Sequence, residues 1–438
     1  MSGLAKYLLE NGHTVTGSDI QDSKYITSLR KLGAGVNIGH REENLPDDVE
    51  AVIVSTAIRE SNPELIKAKR LGIKIYHRSD LLKEIAESAQ KSEMKFIGFA
   101  GTHGKTTTSG MTSFVLEKSD FAASFVVGGI VPDLNTNAQY KNGKYFVAEL
   151  DESDGTLIKY NPDILVINNL EEDHLDFYKN GMEDIKKVFN QATSQAKKVI
   201  VNADDDAIRN LEGDFITFGL NEADYTAKNI KIASDGTSFD LFKNEIKLAE
   251  IKTMLTGIHN IYNTLAVASA LVESGIDIDK IKESFALFTG MGRRFQHICD
   301  LDNDIQIYDD YAHHPTEIKA VLDAASTKFG KENIVAIFQP HRYTRLKGLW
   351  DEFKQAFGNA SRVIVTDVYE ASEDPIENIT GENFAKETGF EHFSGTIDEV
   401  AKKLLPTLES GNIVVGLGAG TITNLGNYLK ESALANRI

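Results

Sequence analysis

The chain has 438 residues, with 47 Lys+Arg against 65 Asp+Glu for a formal charge of −18, and is 41% hydrophobic and 26% charged. Those fractions exclude a largely disordered protein, and the length predicts two to four domains. The acidic surface disfavours duplex nucleic acid and anionic membrane as partners, so any phosphorylated ligand must be held by local devices.

Short β-branched runs alternate with helical stretches from the start, which is the pattern of parallel α/β architecture. The sequence predicts a helix from Ser2 to Glu10 closed by Asn11-Gly12, then a strand near Thr14 to Gly17 and a helix near Lys24 to Leu32. A strand from Ala51 to Ser55, a helix from Pro63 to Leu71, a strand from Lys74 to His77 and a helix from Asp80 follow. A Rossmann-like unit normally opens with a strand and a glycine-rich turn, and neither precedes Ser2. The apolar face of the first helix, Leu4, Tyr7 and Leu8, is therefore expected to be left uncovered.

A second cycle begins near Glu93, with a strand from Lys95 to Ala100 running into Gly101-Thr102-His103-Gly104-Lys105-Thr106 and a helix. Buried strands are predicted near Tyr145 to Leu150, Asp163 to Asn168 and Lys198 to Asn202, then a small antiparallel patch from Thr226 to Lys252 and a buried helix from Asn260 to Ser274. The third cycle has strands near Ile305 to Tyr308, Ile334 to Phe338, Arg362 to Thr366 and Asn412 to Gly416, with helices from Pro315, Thr344 and Ile397. The fold class is thus α/β in three domains: residues 1–92 Rossmann-like and lacking its first strand, 93–292 of the P-loop ATPase type, and 293–438 a doubly wound Rossmann-like sheet.

The single cysteine, Cys299, excludes an internal disulfide framework and suits a reducing compartment. No apolar run approaches the ~20 residues of a membrane span, and Lys6, Glu10 and His13 interrupt the front as no signal peptide allows. A cytoplasmic protein without membrane or nucleic-acid partners, monomeric or weakly dimeric, is expected.

The strongest chemical signal is Gly101-Thr102-His103-Gly104-Lys105-Thr106-Thr107 between strand and helix. Glycines let backbone N–H groups approach phosphate, the helix N-terminus favours the anion, Lys105 neutralises terminal phosphate oxygens, and the Thr106 hydroxyl can ligate Mg²⁺. The strict eight-residue pattern would need glycine where Phe99 stands. Glu149 closes a predicted strand where a hard oxygen ligand for Mg²⁺ belongs. Asn260 and Asn263 are three apart, so on a helix they share a face and can bond an adenine edge, or serve as an N-cap and a buried amide. Arg342 and Arg345 present guanidinium forks suited to carboxylate or phosphate, and Tyr311, His313 and His341 end strands of the same sheet. His313, His314 and His341 also raise a zinc site, disfavoured by the lack of a nearby cysteine.

The wording Gly-Thr-His-Gly-Lys-Thr-Thr, followed by Phe146 to Asp154, Asn168 to Asp176, Gly257-Ile258-His259-Asn260, Gly292-Arg293-Arg294-Phe295, Asp309 to Pro315 and Gln339 to Arg345, resembles the Mur ligase family. These are ATP-dependent amide-forming enzymes of peptidoglycan precursor synthesis, and the motifs stand in the family's order along the whole chain. The resemblance implies a ligase joining L-alanine to the lactyl carboxylate of UDP-N-acetylmuramate through an acyl phosphate, with ATP and Mg²⁺ as cofactors. It assigns Glu149 one Mg²⁺ and His174 a second, brings Arg293 and Arg294 to ATP, and gives the amino acid to the third domain through Arg342 and Arg345. It also assigns the first domain to the UDP-sugar, with Asp19, Ser55, Thr56 and Arg78 on the rim. The missing front strand and turn, and Thr421 where the family usually has an acidic or amide residue, depart from the pattern, and the first departure implies weak sugar-nucleotide binding. A ligase adding a tripeptide to the same sugar nucleotide and an idle ATP-binding module are the alternatives. A dinucleotide oxidoreductase lacks the Gly-x-Gly-x-x-Gly opening it requires.

Overall fold

The β-branched runs that bracket the glycine loop lie at the centre of a mainly parallel sheet. The computed structural model describes residues 1–438 except 176, 234, 372 and 436–438, so Asp176 of the expected acidic run lies outside the described residues. The chain divides into two units, one of Met1–Thr226, Phe242–Ala249 and Asn263–Ser284, the other of Ala227–Leu241, Glu250–Tyr262 and Phe285–Ile438.

The first unit opens with α1 (Ser2–Glu10), β1 (Thr16–Asp19), α2 (Lys24–Lys31), β2 (Gly35–Ile38), β3 (Ala51–Val54), α3 (Pro63–Leu71), β4 (Lys74–His77) and α4 (Arg78–Lys91). β1 pairs with β2 and β3 with β4, each in parallel, as two separate two-stranded sheets. Helix α4 starts two residues earlier than predicted because His77 is its N-cap in a capping box, the His77 N–H donating to Asp80 Oδ2 at 2.9 Å. The expectation of an uncovered first helix is overturned. Leu4 and Tyr7 are 7% and 3% exposed, and Tyr7 packs edge-on to Tyr140 and Phe146 at 5.4 and 5.9 Å in the core that also holds Leu82, Ile85 and Phe96. Such aromatic burial stabilises by about 2–3 kcal/mol per ring.

Next come β5 (Lys95–Ala100), α5 (Lys105–Lys118), β6 (Ala123–Val131), β7 (Thr136–Gln139), β8 (Tyr145–Glu149), β9 (Ile164–Ile167), α6 (Met182–Gln195), β10 (Lys198–Asn202) and β11 (Ile216–Gly219). They run in the order β11-β10-β9-β5-β8-β6-β7, parallel except for β7. β5, β8 and β9 are continuous apolar runs because both faces are covered. In register, Phe99 stands opposite Glu149 and Ala100 opposite Ile167, so the C-terminal ends of β8, β5 and β9 are level. The Thr/Ser-rich α5 tolerates burial because Thr108, Ser109, Thr112 and Ser113 return their hydroxyls to carbonyls four residues back.

Strands β12 (Tyr225–Ala233), β13 (Gly236–Lys243) and β14 (Ile246–Thr253) occupy the stretch predicted as a patch and lead to α7 (Ile258–Glu273) and α8 (Lys282–Phe285). The second unit then holds β15 (Gln296–Asp300), β16 (Gln306–Asp310), α9 (Pro315–Phe329), β17 (Ile334–Phe338), α10 (Tyr343–Gly348), α11 (Trp350–Gln355), β18 (Arg362–Thr366), α12 (Gly381–Thr388), β19 (Glu391–Phe393), α13 (Ile397–Leu404), β20 (Ile413–Leu417) and α14 (Leu425–Ala435). Its sheet order is β15-β16-β20-β17-β18-β19, parallel apart from edge strand β15. Asp310 and Phe338 both register with Leu417, so the loops after β16, β20 and β17 leave the sheet side by side. The single helix predicted from Thr344 is two short ones, broken at Leu349.

Within the first unit, Glu273 at the end of α7 accepts from Lys198 Nζ, Lys243 Nζ and Tyr225 Oη at 2.7, 2.7 and 2.8 Å. Burial would raise its carboxyl, but these donors hold it down at about 2. A depressed carboxylate stabilises above its unfolded value and loses that stabilisation as pH falls through the folded one. Glu273→Gln is therefore expected to destabilise by about 1 kcal/mol near neutrality, an advantage that disappears between about pH 4.5 and 2. Urea unfolding of both proteins against pH checks this; a difference independent of pH would show that the charge is not what stabilises.

Candidate active site

Leaving β5, the chain turns through Gly101 (φ 123°) to Gly104 (φ 82°), the N-cap of α5. Both are held close: a Cβ on Gly101 would lie 2.8 Å from Asn169 O, and one on Gly104 2.6 Å from Asn263 Oδ1. Two asparagines after β9 brace the loop. Asn169 Oδ1 accepts from the His103 N–H at 2.7 Å, its Nδ2 and that of Asn168 both donate to His103 O at 3.2 Å, and Thr102 N donates to Asn169 O. Thr102 Oγ1 accepts from Glu171 N at 2.8 Å, and the His103 ring lies 3.5 Å from Glu171. Thr107 faces into the core of α5.

Lys105 is partly buried, its Nζ donating to Gly101 O, Thr102 O and Glu152 Oε1 at 2.6, 3.0 and 3.0 Å. Burial disfavours its charge, but Glu152, Asp151 and Glu149 outweigh that and hold its pKa above the ordinary lysine value. Glu152 is 4% exposed; burial pushes its carboxyl up to about 7 against the pull of Lys105, and its Oε2 has no hydrogen-bond partner among the described residues.

Glu149 Oε2 accepts from Thr106 Oγ1 and from the Gly128 N–H, both at 2.9 Å. A hydroxyl and a carboxylate converging beside a phosphate loop are hard oxygen donors that fit Mg²⁺. His174, at φ 54°, follows β9 by a loop and turns its ring towards Asp173, 3.5 Å away.

In the second unit the loops after β16 and β17 and the start of α10 carry Tyr311, His313, His341, Arg342 and Arg345. His313 and His341 rings lie 5.8 Å apart, and Arg345 Nη1 is 3.3 Å from His341 Nδ1. Burial, with His313 and Arg345 beside it, pushes His341 down to about 3, so its ring is neutral. Arg342 (φ 71°) lies 3.9 Å from Glu373. His314 is the N-cap of α9, paired with Glu317 in a capping box. Arg293 and Arg294, expected at ATP, are held within this unit: both guanidinium groups lie over the Tyr311 ring, Arg293 donates to Asp309 and Gly418 O, and Arg294 is 3.5 Å from Glu317.

Other expectations separate. Asn260 donates to Thr256 O at 2.8 Å, whereas Asn263 faces Gly104 of the phosphate loop, so the two amides have different surroundings. Asp19 ends β1 while Ser55 and Thr56 follow β3 in another sheet. The Arg78 guanidinium is paired with Asp151. Asn168, Asn169, Gly128, Glu152, Gln339 and Tyr369 are functional candidates that the sequence reading missed. The His341 ring stacks on Tyr369 at 5.5 Å, and Gln339 bonds Thr421 Oγ1 and Ile422 N. Asn168 and Glu152 were visible inside quoted motifs; Gly128 and Tyr369 carried no local signal.

Residues 99–271 match the Mur ligase middle domain, 1–90 the Mur ligase family catalytic domain and 293–420 the Mur ligase glutamate ligase domain. The UDP-N-acetylmuramate–L-alanine ligase of Sulfurihydrogenibium sp. (strain YO3AOP1) is 41% identical, with 98% of this chain and 95% of that protein aligned. The chain belongs to the Mur ligase family. The enzyme of the same name from Trichlorobacter lovleyi is 38% identical over 98% of this chain and 95% of its own. Among solved Mur ligases, the UDP-N-acetylmuramate-alanine ligase MurC from Thermotoga maritima superposes with a TM-score of 0.85 at 29% identity, covering 100% of this chain and 97% of that one. A murein peptide ligase from Psychrobacter arcticus shares the fold, with a TM-score of 0.76, 24% identity, and 99% and 96% coverage. The three-domain α/β class of the Mur ligases is thereby the class of this chain. No helix among the described residues is long and apolar enough to cross a membrane.

A Cβ on Gly128 would lie 2.4 Å from Glu149 Oε2. Gly128→Ala is expected to turn Glu149 away from Thr106 and to weaken Mg²⁺-dependent ADP binding about tenfold, or ~1.4 kcal/mol. ADP titrations at stepped Mg²⁺ concentrations check this. An unchanged Mg²⁺ dependence would remove Glu149 from the ligand set.

Proposed function

We propose that this chain is an ATP-dependent ligase that joins L-alanine to the lactyl carboxylate of UDP-N-acetylmuramate in peptidoglycan precursor synthesis, releasing ADP and phosphate. The observation that carries the reading is the glycine loop at the head of α5, with the Lys105 ammonium folded back on the loop carbonyls and the Thr106 hydroxyl bonded to the Glu149 carboxylate. Support for the amide-forming chemistry comes from full-length relatives that carry that name.

A carboxylate is a poor acylating agent because its leaving group would be oxide. Transfer of the γ-phosphoryl group to a carboxylate oxygen breaks the Pγ–O bond to ADP and makes an acyl phosphate, whose leaving group is phosphate. Two anions must meet, so Lys105 and the N–H groups at the start of α5 stabilise the charge on the phosphoryl oxygens. Mg²⁺, held by Thr106, Glu149 and His174, supplies further neutralisation when bound. The α-carboxylate of alanine pairs with Arg342 and Arg345, and its free amine attacks the acyl carbon, loses a proton and expels phosphate. A neutral His341 suits that amine because it adds no competing positive charge.

Within this reading Asn263 belongs to the phosphate loop and Asn260 to the nucleotide end, with Arg293 and Arg294 near it. Asp19, Ser55 and Thr56 face the UDP-sugar. The three domains span 1–92, 93–292 and 293–438, and the enzyme acts in the cytoplasm as a monomer or weak dimer.

Phosphate release from ATP is expected only when UDP-N-acetylmuramate and L-alanine are both present. Equal or faster release with a tripeptide in place of alanine would contradict the choice of amino-acid substrate. Lys105→Ala is expected to lower kcat more than about tenfold, a loss above about 1.4 kcal/mol. Arg345→Ala is expected to raise the KM for alanine while leaving ADP affinity unchanged; the reverse result would take the amino acid away from the second unit.

A further inference from the structure

Arg78 is the first residue of α4, and that first turn with its N-cap is tied to the chain that follows β8 by five contacts. Arg78 Nη2 pairs with Asp151 Oδ2, and Lys159 Nζ pairs with Asp80 Oδ1 and donates to Ser79 Oγ at 2.9 Å. His77 Nε2 lies 3.8 Å from Asp154 Oδ2, and Tyr160 Oη donates to Ser79 O at 3.4 Å. Asp151 uses its other oxygen to accept the Ser153 N–H at 3.0 Å, which closes the turn Asp151-Glu152-Ser153. At the middle of that turn stands Glu152, whose Oε1 takes the Lys105 ammonium at 3.0 Å and whose main-chain carbonyl accepts from Tyr178 Oη.

One carboxylate thus serves two purposes. Its pairing with Arg78 fixes the Asp151 rotamer, and that rotamer fixes the turn that carries Glu152, the side-chain partner of Lys105. Asp151 Oδ2 meets the Arg78 guanidinium in an ion pair, and its Oδ1 is committed to the turn. Without Arg78 that anion must turn towards solvent or towards Lys105. Either movement releases the Ser153 N–H and changes where the ammonium rests.

We propose that Arg78 is a positioning residue for Lys105, acting through the Asp151-Glu152-Ser153 turn, and not a ligand of the sugar nucleotide. The proposal rests on the reading that Lys105 meets the phosphates of ATP.

The test is titration of the full chain with Mg·ADP, without sugar nucleotide, for the wild type, Arg78→Met, Arg78→Lys, Asp151→Asn and the Arg78→Met/Asp151→Asn double variant. Arg78→Met is expected to weaken ADP binding about tenfold and Arg78→Lys to restore most of it, since one donor suffices for Asp151 Oδ2. Asp151→Asn, which needs no counter-ion, is expected to bind ADP better than Arg78→Met. The double variant is expected to match Asp151→Asn, because Arg78 has nothing left to hold. If Arg78→Met does not fold, the comparison of the double variant with Asp151→Asn carries the same test. Unchanged ADP affinity in Arg78→Met, strictly additive losses, or a loss confined to UDP-N-acetylmuramate binding would each overturn the proposal. Lys105→Ala run alongside separates the two levels: if it also leaves ADP affinity intact, the phosphate-loop reading fails, and if it alone abolishes binding, only the role of Arg78 fails.

Discussion

A buried ammonium in a protein of net charge −18 is the constraint on which the first unit is organised. Lys105 must remain charged away from water, and it must be free to exchange its partners for phosphate oxygens. Two loop carbonyls and one carboxylate achieve the first condition. The second follows from the kind of partner: carbonyls hold an ammonium less strongly than a polyphosphate does, and burial weakens the charge of Glu152. The neighbouring elements serve this arrangement. Parallel register brings Glu149 and Asn168-Asn169 level with the glycine turn, and the hydroxyl-rich α5 satisfies its own buried donors so that it can descend into the core.

The second unit solves a related problem by a different route. Its sheet ends gather several cations and aromatic rings, with Asp309, Glu317 and Glu373 among the anions beside them. His341 is kept neutral by burial and by its cationic neighbours, and the Tyr311 ring lies under two guanidinium groups. Asp310 anchors the entry of the chain, its oxygens accepting the Phe295 and Ala312 N–H groups at 2.6 and 2.7 Å, with burial pushing its carboxyl up to about 6. Arg342 and Arg345, at the start of α10 beside these rings, suit the carboxylate of a small amino acid.

Much of this was readable in the sequence where period, composition and motif agreed. β5, β10, β17 and β18 were placed to the residue because buried parallel strands are short, β-branched and bounded by turns. β6 and β7 escaped: ASFVVGGIV carries two glycines and TNAQ is polar, and only their place at the sheet edge makes them strands. The start of α4 was placed late because a histidine N-cap has no strong sequence preference. The largest misreading was of the first helix, whose apolar face meets Tyr140 and Phe146, residues more than a hundred positions distant. At the site, residue types were predictable but partners were not: nothing in the local text distinguishes an arginine that meets a substrate from Arg78, which meets Asp151.

The account stands on γ-phosphoryl transfer to the lactyl carboxylate, and oxygen tracing tests that step alone. With UDP-N-acetylmuramate labelled with ¹⁸O in its carboxylate, the released phosphate is predicted to carry one labelled oxygen per turnover, because the C–O bond of the acyl phosphate breaks when alanine's amine attacks. Phosphate free of label, with amide formed at the normal rate, would contradict it.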